Sequence, residues 1–324
     1  MGRIFFPLFD NTSKKKRRGI ILVAHTNVKT IICQKRSKLS KRLIPWAFVL
    51  PALLLSLFVV FAPVIGTLAL STTDWDGFSQ LNFIGLENYK TLLSDSVFWM
   101  SLINNLKWMV YFLTIPVIFA LIVAVVVSKI KVGQMFFRSA FFMPYIVSSI
   151  VTAKIWSLIY NPFNGINALL ESLGIKFMPE YLGNQKLALF SVAFVDSWRF
   201  WGFLMVLFLT ALFQTDKSLE EAATIDGASE FQSFWSVILP QIRPTIIMMM
   251  MLIMIWSFGA FEYVFLMTGG GPGRSTELIA TYMYKLALQN QAPGYASTIA
   301  LAMAIFSFGI MGVFSILKKR GWEI

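Results

Sequence analysis

The run LIPWAFVLPALLLSLFVVFAPVIGTLALSTT, residues 43–73, carries no charged side chain over 31 positions. A helix rising 1.5 Å per residue needs about 20 mostly apolar residues to cross a hydrocarbon core about 30 Å thick, so this run reads as a membrane span. Working outward, Leu286 to Leu317 is uncharged for 32 residues, Trp108 to Ser128 for 21, and Pro244 to Phe261 for 18 before Glu262. Two further stretches, 137–160 and 187–213, are long enough but interrupted by Lys154 and by Asp196 with Arg199. The expectation is an all-α polytopic membrane protein with six spans, near 45–71, 102–128, 137–160, 187–213, 244–267 and 296–317. Prolines 45, 51, 63, 116 and 144 do not exclude them, because neighbouring helices satisfy the freed carbonyls.

Composition agrees. The chain of 324 residues is 57% hydrophobic and 14% charged, against roughly 45–50% and about 25% in soluble domains. The 31 Phe and 10 Trp exclude disorder, and the single Cys33 excludes a disulfide scaffold. The net charge of +12 would suggest nucleic acid in a soluble protein, but twelve Lys/Arg crowd into residues 1–43 against Asp10 alone. No nucleic-acid partner is expected. With the N-terminus inside, inner segments hold twenty Lys/Arg and outer segments five (Lys90, Lys176, Lys186, Arg274, Lys285), which places both termini on the cytoplasmic side of the membrane. Residues 1–43 then form a basic cytoplasmic tail with topogenic and lipid-surface roles, and 44–320 the transmembrane domain. Gly19 to Ala24 is too short for the apolar core of a signal peptide.

Catalytic signatures are missing. There is no phosphate-binding G-x-x-x-x-G-K-[ST], no H-E-x-x-H, no Cys/His cluster and no G-x-S-x-G. The only histidine, His25, lies in the tail. The chain is expected to be non-catalytic, with no cofactor or metal of its own.

The inner loop between the fourth and fifth spans, 214–243, opposes the positive-inside trend. It sets Asp216, Glu220, Glu221, Asp226 and Glu230 against Lys217 and Arg243. Asp216 or Ser218 can cap a short helix whose first turn is acidic, where the helix dipole favours negative charge. Ala222, Ala223 and Ile225 make a small flat apolar face, and Gly227 supplies the stop. A second helix carries Phe231, Phe234, Trp235 and Ile238 at helical spacing, with Pro240 and Pro244 expected to end it before the fifth span. By physics alone, this is either a knob that inserts into a groove on a partner or an amphipathic loop resting on the bilayer.

Glu221-Ala222-Ala223, Asp226-Gly227-Ala228 and Ile238-Leu239-Pro240 resemble the EAA loop of ABC importer permeases. Phe83-Ile84-Gly85-Leu86-Glu87-Asn88-Tyr89, Asn161-Pro162 and Thr268-Gly269-Gly270-Gly271-Pro272 resemble further signatures of the carbohydrate uptake branch, which is similar to the maltose and glycerol-3-phosphate system permeases. The resemblance runs from about residue 42 to 320. It implies a type I importer permease that pairs with a second, homologous permease. Two ATPase subunits bind ATP and magnesium beneath the pair, and an extracellular binding protein delivers a sugar or oligosaccharide. Glycerol-3-phosphate or another small polar solute is the alternative cargo. A secondary transporter is the further alternative, though no inverted repeat relates the two halves. Residues 216–229 become the coupling helix, with Glu220, Glu221, Ala222, Ala223, Asp226, Gly227 and Ala228 at the ATPase contact and Glu221 expected to anchor the following turn.

Charges inside spans are costly and are functional candidates by default. Lys107, Lys154, Glu262, Asp196 and Arg199 are all placed in the outer half or near the midplane. The plain accounts are an i, i+3 ion pair for Asp196 and Arg199 and snorkelling for Lys107 and Lys154. Aromatic neighbours suit stacking on sugar C–H faces. Asp196, Trp198, Arg199, Trp201, Trp256, Ser257, Gly259, Glu262 and Tyr263 are therefore the candidate pathway residues. By their position relative to the EAA loop, 196–202 and 256–263 match the ligand-lining stretches of the maltose-type permease. The asparagines of that system are absent here, which argues against maltose itself.

Overall fold

The structure, a computed structural model, describes residues 45–175 and 179–319. The basic tail, with His25 and Cys33, and Lys176 lie outside the described residues. The chain divides into two units, Met1–Gly66 and Thr67–Ile324. The described part of the first unit belongs to helix α1 (Pro45–Leu70), none of whose most apolar window is buried. That is tolerable only where lipid or a partner is the surrounding medium, since hydrocarbon does not drive apolar side chains inward.

The second unit continues with α2 (Glu87–Ser94), α3 (Ser96–Ser128), α4 (Gln134–Ile146), α5 (Ser149–Ile159) and α6 (Ile166–Ser172). There follow α7 (Ala188–Phe213), α8 (Lys217–Ile225), α9 (Glu230–Phe258), α10 (Glu262–Met267), α11 (Ile279–Leu288) and α12 (Pro293–Lys319). Helices α1, α3, α7, α9 and α12 are each long and apolar enough to cross a membrane, and α4 with α5 reaches that length and apolarity only as a pair, bent by 90°. The polytopic all-α architecture is thus the one the hydropathy implies.

Small side chains set the packing. Ala120 and Ala124 of α3 and Ala193 of α7 are buried, letting the two backbones approach closely around Phe208, Met205 and Leu204. Gly202 of α7 meets α4 so tightly that an added Cβ would lie 2.0 Å from the Phe141 carbonyl oxygen. A second core joins Phe98 and Leu102 of α3 to Phe258, Ile279 and Ile299.

Three boundaries differ from the sequence expectation. The run 137–160 is two helices, because Val147 and Ser148 turn extended and interrupt the helical backbone. The run 244–267 stops at Phe258 and restarts at Glu262 after the Gly259–Phe261 break. Pro240 and Pro244 do not end the preceding helix: α9 runs through both, from Glu230 to Phe258. A π turn at Phe234–Ile238 makes this possible, with the Leu239 N–H donating to the Phe234 carbonyl five residues back, directly before Pro240. The same device precedes Pro63, where the Ala62 N–H donates to the Leu57 carbonyl. Widening the turn ahead of a proline is one of the local adjustments that let membrane helices carry them.

Candidate functional site

Helix α7 turns Asp196, Arg199 and Phe200 toward a cavity of about 270 Å³. Trp108 and Phe112 of α3, Tyr145 of α4, Ile253, Trp256 and Ser257 of α9, and Ala260 of the break complete its walls. Arg199 Nη2 lies 3.8 Å from Asp196 Oδ1, beyond hydrogen-bond length, so the i, i+3 pair is an electrostatic contact rather than a closed fork. The guanidinium stands 5.1 Å from the Tyr145 ring centre and 5.8 Å from that of Tyr263. Two cation–π contacts, each worth about 0.5–2 kcal/mol, help offset the 2.5–3.5 kcal/mol or so of holding a guanidinium within a span. Hydrogen-bonding capacity is left over, since Arg199 Nε is buried without a partner among the described residues. The cavity therefore combines an aromatic lining (Trp108, Phe112, Trp256) with one polar wall, the make-up of a small-molecule site.

The sequence-chosen residues do not all gather there. Asp196, Arg199, Trp256 and Ser257 line the cavity, and Tyr263 reaches it through Arg199. Trp198 instead packs edge-on against Trp156, with ring centres 5.7 Å apart, and Trp201 sits between Phe119 and Phe141 at 4.8 and 5.4 Å. Gly259 ends α9, and Glu262 is an exposed residue at the start of α10, outside the cavity lining. Lys107 lies on a separate groove with Ile103, Val110 and Phe190, while Lys154 is exposed.

At the loop between α7 and α9, the Asp216 carboxylate accepts from the Ser218 N–H at 2.9 Å and hydroxyl at 2.8 Å, capping α8. Those bonds, the hydroxyl's first, hold the Asp216 carboxyl below its ordinary range. Gly227 ends the helix at φ +85°, a left-handed conformation that a side chain resists, and the Ala228 N–H returns to the Ala223 carbonyl. Ser229 and Gln232 then form a reciprocal capping box that starts α9. Glu220, Glu221, Ala222, Asp226 and Gly227 are exposed, whereas Ala223 and Ala228 are half-buried. Among the described residues the Glu221 carboxylate has no hydrogen-bond or ion-pair partner. The turn it was expected to anchor is held by backbone bonds and the capping box instead. Ile225 is 87% exposed, an apolar side chain offered on an otherwise acidic knob. Lys129, at the end of α3, pairs with Glu230 at 2.5 Å and ties the knob to the central helix.

At the opposite end of the spans lies a polar network that sequence reading missed. Glu277 is buried, with Lys285 Nζ at 2.5 Å and the Thr281 hydroxyl donating to it at 2.7 Å, while Lys285 also donates to the Gly269 carbonyl. A Cβ at Gly270 would lie 2.6 Å from Glu277 Oε2 and 2.7 Å from Lys285 Nζ, so this one glycine of the run leaves room for the pair to close. Asn104 donates to the Ser275 and Glu277 carbonyls, and Asn105 bridges the Ser257 carbonyl and the Ile279 N–H. Nearby, Asp95 caps α3 and accepts the Tyr282 and Tyr295 hydroxyls at 2.8 and 2.6 Å. Burial pushes its carboxyl up, but the two hydroxyls and the Phe98 and Val97 N–H groups outweigh this and hold it below its ordinary range. Asn88 of the Phe83–Tyr89 signature donates to the Ser71 and Thr73 carbonyls, which gives that motif a structural task.

A multi-pass helical bundle with a polar chamber among its spans and a knob projecting at one end is a membrane permease. The chain belongs to the family described as binding-protein-dependent transport system inner membrane component, whose model matches residues 116–321. It is an ABC importer permease of the inner membrane. It is 34% identical to the probable ABC transporter permease protein YurN of Bacillus subtilis, over 83% of this chain and 94% of that one. It is 32% identical to the multiple sugar-binding transport system permease protein MsmF of Streptococcus mutans, over 86% and 96%. Its fold matches a chain of a bacterial alginate ABC transporter, solved with an alginate-pentasaccharide-bound periplasmic protein, at a TM-score of 0.78, 21% identity and coverage of 87% and 96%.

Proposed function

We propose that this chain forms half of the pathway of an ATP-driven sugar importer, with both termini cytoplasmic. A second permease completes the pathway, two ATPase subunits bind ATP and magnesium beneath α8, and an extracellular binding protein delivers the cargo. The observation that carries the sugar reading is the cavity. Trp256, 46% exposed, offers a surface for the C–H side of a pyranose, and Trp108 stacks on Phe112 in the cavity wall. Asp196 accepts from the sugar hydroxyls, while Arg199, with an unpartnered buried Nε, donates to them. Relatives such as the sugar permease MsmF support the same cargo class.

The knob supplies the coupling. Its acidic flank and exposed Ile225 suit a groove on an ATPase subunit, and the Lys129–Glu230 tie and the continuous helix α9 lead from the knob to the cavity wall. ATP-driven closure of the ATPases would shift α8, and α9 would carry that shift to Trp256 and Ser257. The two gate states then differ in cavity access, and nucleotide biases their populations. The test is uptake by the reconstituted complex, with binding protein supplied and a panel of labelled sugars. Asp196→Asn and Trp256→Ala are expected to lower uptake at least tenfold while binding-protein-stimulated ATP hydrolysis persists. Unchanged uptake in both variants would remove the cavity from the pathway.

A further inference from the structure

Helices α4 and α7 are antiparallel neighbours whose backbones touch where Gly202 meets the Phe141 carbonyl. From that contact they diverge toward the end of the bundle that bears the coupling loop, leaving a groove of about 360 Å³. Its lining runs along the helices from Phe142 and Val206, nearest the Gly202 contact, past Leu209 to Arg138, Gln134 and Phe213, the last residue of α7. The slot from Val206 to Phe213 is about 10 Å deep at 1.5 Å per residue.

Charge at the mouth is one-sided. Arg138 is exposed and has no hydrogen-bond or ion-pair partner among the described residues. Residues 129–146 contain no Asp or Glu, and Lys131 adds a second cation at the turn before α4. The nearest acid along α7, Asp216, already caps α8. Gln134 is committed to the Val127 carbonyl at 2.9 Å and fixes the start of α4.

We infer that this groove is a site for an anionic phospholipid of the leaflet on the coupling-loop side, its phosphate on Arg138 and one acyl chain between Phe142, Val206 and Leu209. A cationic mouth over an apolar slot complements that molecule at both ends, and basic pockets between spans bind anionic headgroups through the same chemistry. The occupant would brace α4 against α7 two turns from Arg199, on the helix that also ends in the knob. The inference needs only the membrane location already established, not the sugar reading, so each can fail alone.

The experiment is native mass spectrometry of the intact, partly delipidated complex, with phosphatidylglycerol or phosphatidylcholine added back. The expected result is one strongly retained phosphatidylglycerol per copy of this chain. Retention should be about fivefold weaker in Arg138→Gln, the loss expected for one cation–anion contact. Val206→Trp, which fills the slot, should also lose it, with an unaltered elution profile showing that the complex is assembled. Equal retention in Arg138→Gln or in Val206→Trp would overturn the proposal. So would displacement by millimolar inorganic phosphate, which would mean a headgroup site without an acyl chain. Efficient cross-linking of Met135→Cys to the second permease would also overturn it, since a protein rather than a lipid would then cover the groove.

Discussion

Replacing Glu277 by Gln keeps the side chain's shape and an oxygen for the Thr281 hydroxyl but removes the charge opposite Lys285. Losing one partner of a buried ion pair costs about 3–5 kcal/mol, mostly because the other charge is left uncompensated. Here the Lys285 side chain is 24% exposed and keeps its bond to the Gly269 carbonyl, so partial rewetting lowers the expectation to about 2–3 kcal/mol. At the roughly 2–4 °C per kcal/mol of a chain of about 150–250 residues, taken as an upper scale, the midpoint of thermal unfolding should fall by about 4–12 °C. Adding Lys285→Met should restore at least half of that loss, because the stranded ammonium is then gone. The assay is a thermal unfolding scan of the complex in lipid nanodiscs for the wild type, both single variants and the double. A double variant whose loss equals the sum of the single losses would refute the reasoning, since the pair would then not be coupled.

Other outcomes follow from the same geometry. Gly227 has φ +85° with open space where a Cβ would go, so Gly227→Val strains only the backbone, by about 1–3 kcal/mol. Membrane insertion should persist while binding-protein-stimulated ATP hydrolysis is lost; normal stimulation would contradict a bent knob as the coupling element. The depressed Asp95 carboxyl stabilises the fold above its unfolded value near 3.8, and that stability is lost as pH falls through the lower folded value. Melting curves between pH 7 and 3 should therefore flatten in Asp95→Asn, and an unchanged pH dependence would assign the acid sensitivity elsewhere. Lys129→Ala, at an exposed pair, should leave the melting point unmoved but weaken coupling between uptake and hydrolysis. A drop in melting point would show the tie to be structural.

What the sequence made legible follows from how local each signal is. Charge-free runs report span identity directly, because the bilayer imposes one length and one chemistry. The Asp216 cap and the Gly227 stop were likewise readable, since both act within a few residues. The proline-bearing stretch was not, because the π turn ahead of Pro240 depends on helix register rather than on any residue type. The break at Val147 and Ser148 has the same character. Within the candidate site, Asp196 and Arg199 stood out as charges in an apolar run, but nothing in their spacing revealed the Tyr145 and Tyr263 rings on either side. Trp198 and Trp201 matched the aromatic pattern yet pack away from the cavity, since four positions along one helix sweep through every face. The Glu277–Lys285 pair, eight residues apart across a helix start, and its Asn104 and Asn105 supports from α3 became visible only in three dimensions.

The claim on which the rest depends is that the acidic knob touches an ATP-hydrolysing subunit. A cysteine at Ala223, paired with cysteines scanned over the surface of the co-purified ATPase, tests it through disulfide trapping in membranes. The account predicts a cross-link whose yield changes when ATP replaces ADP, with uptake arrested in the trapped complex. Failure to cross-link at Ala223 and at its neighbours Ala222 and Asp226, in a complex that still imports its cargo, would contradict it.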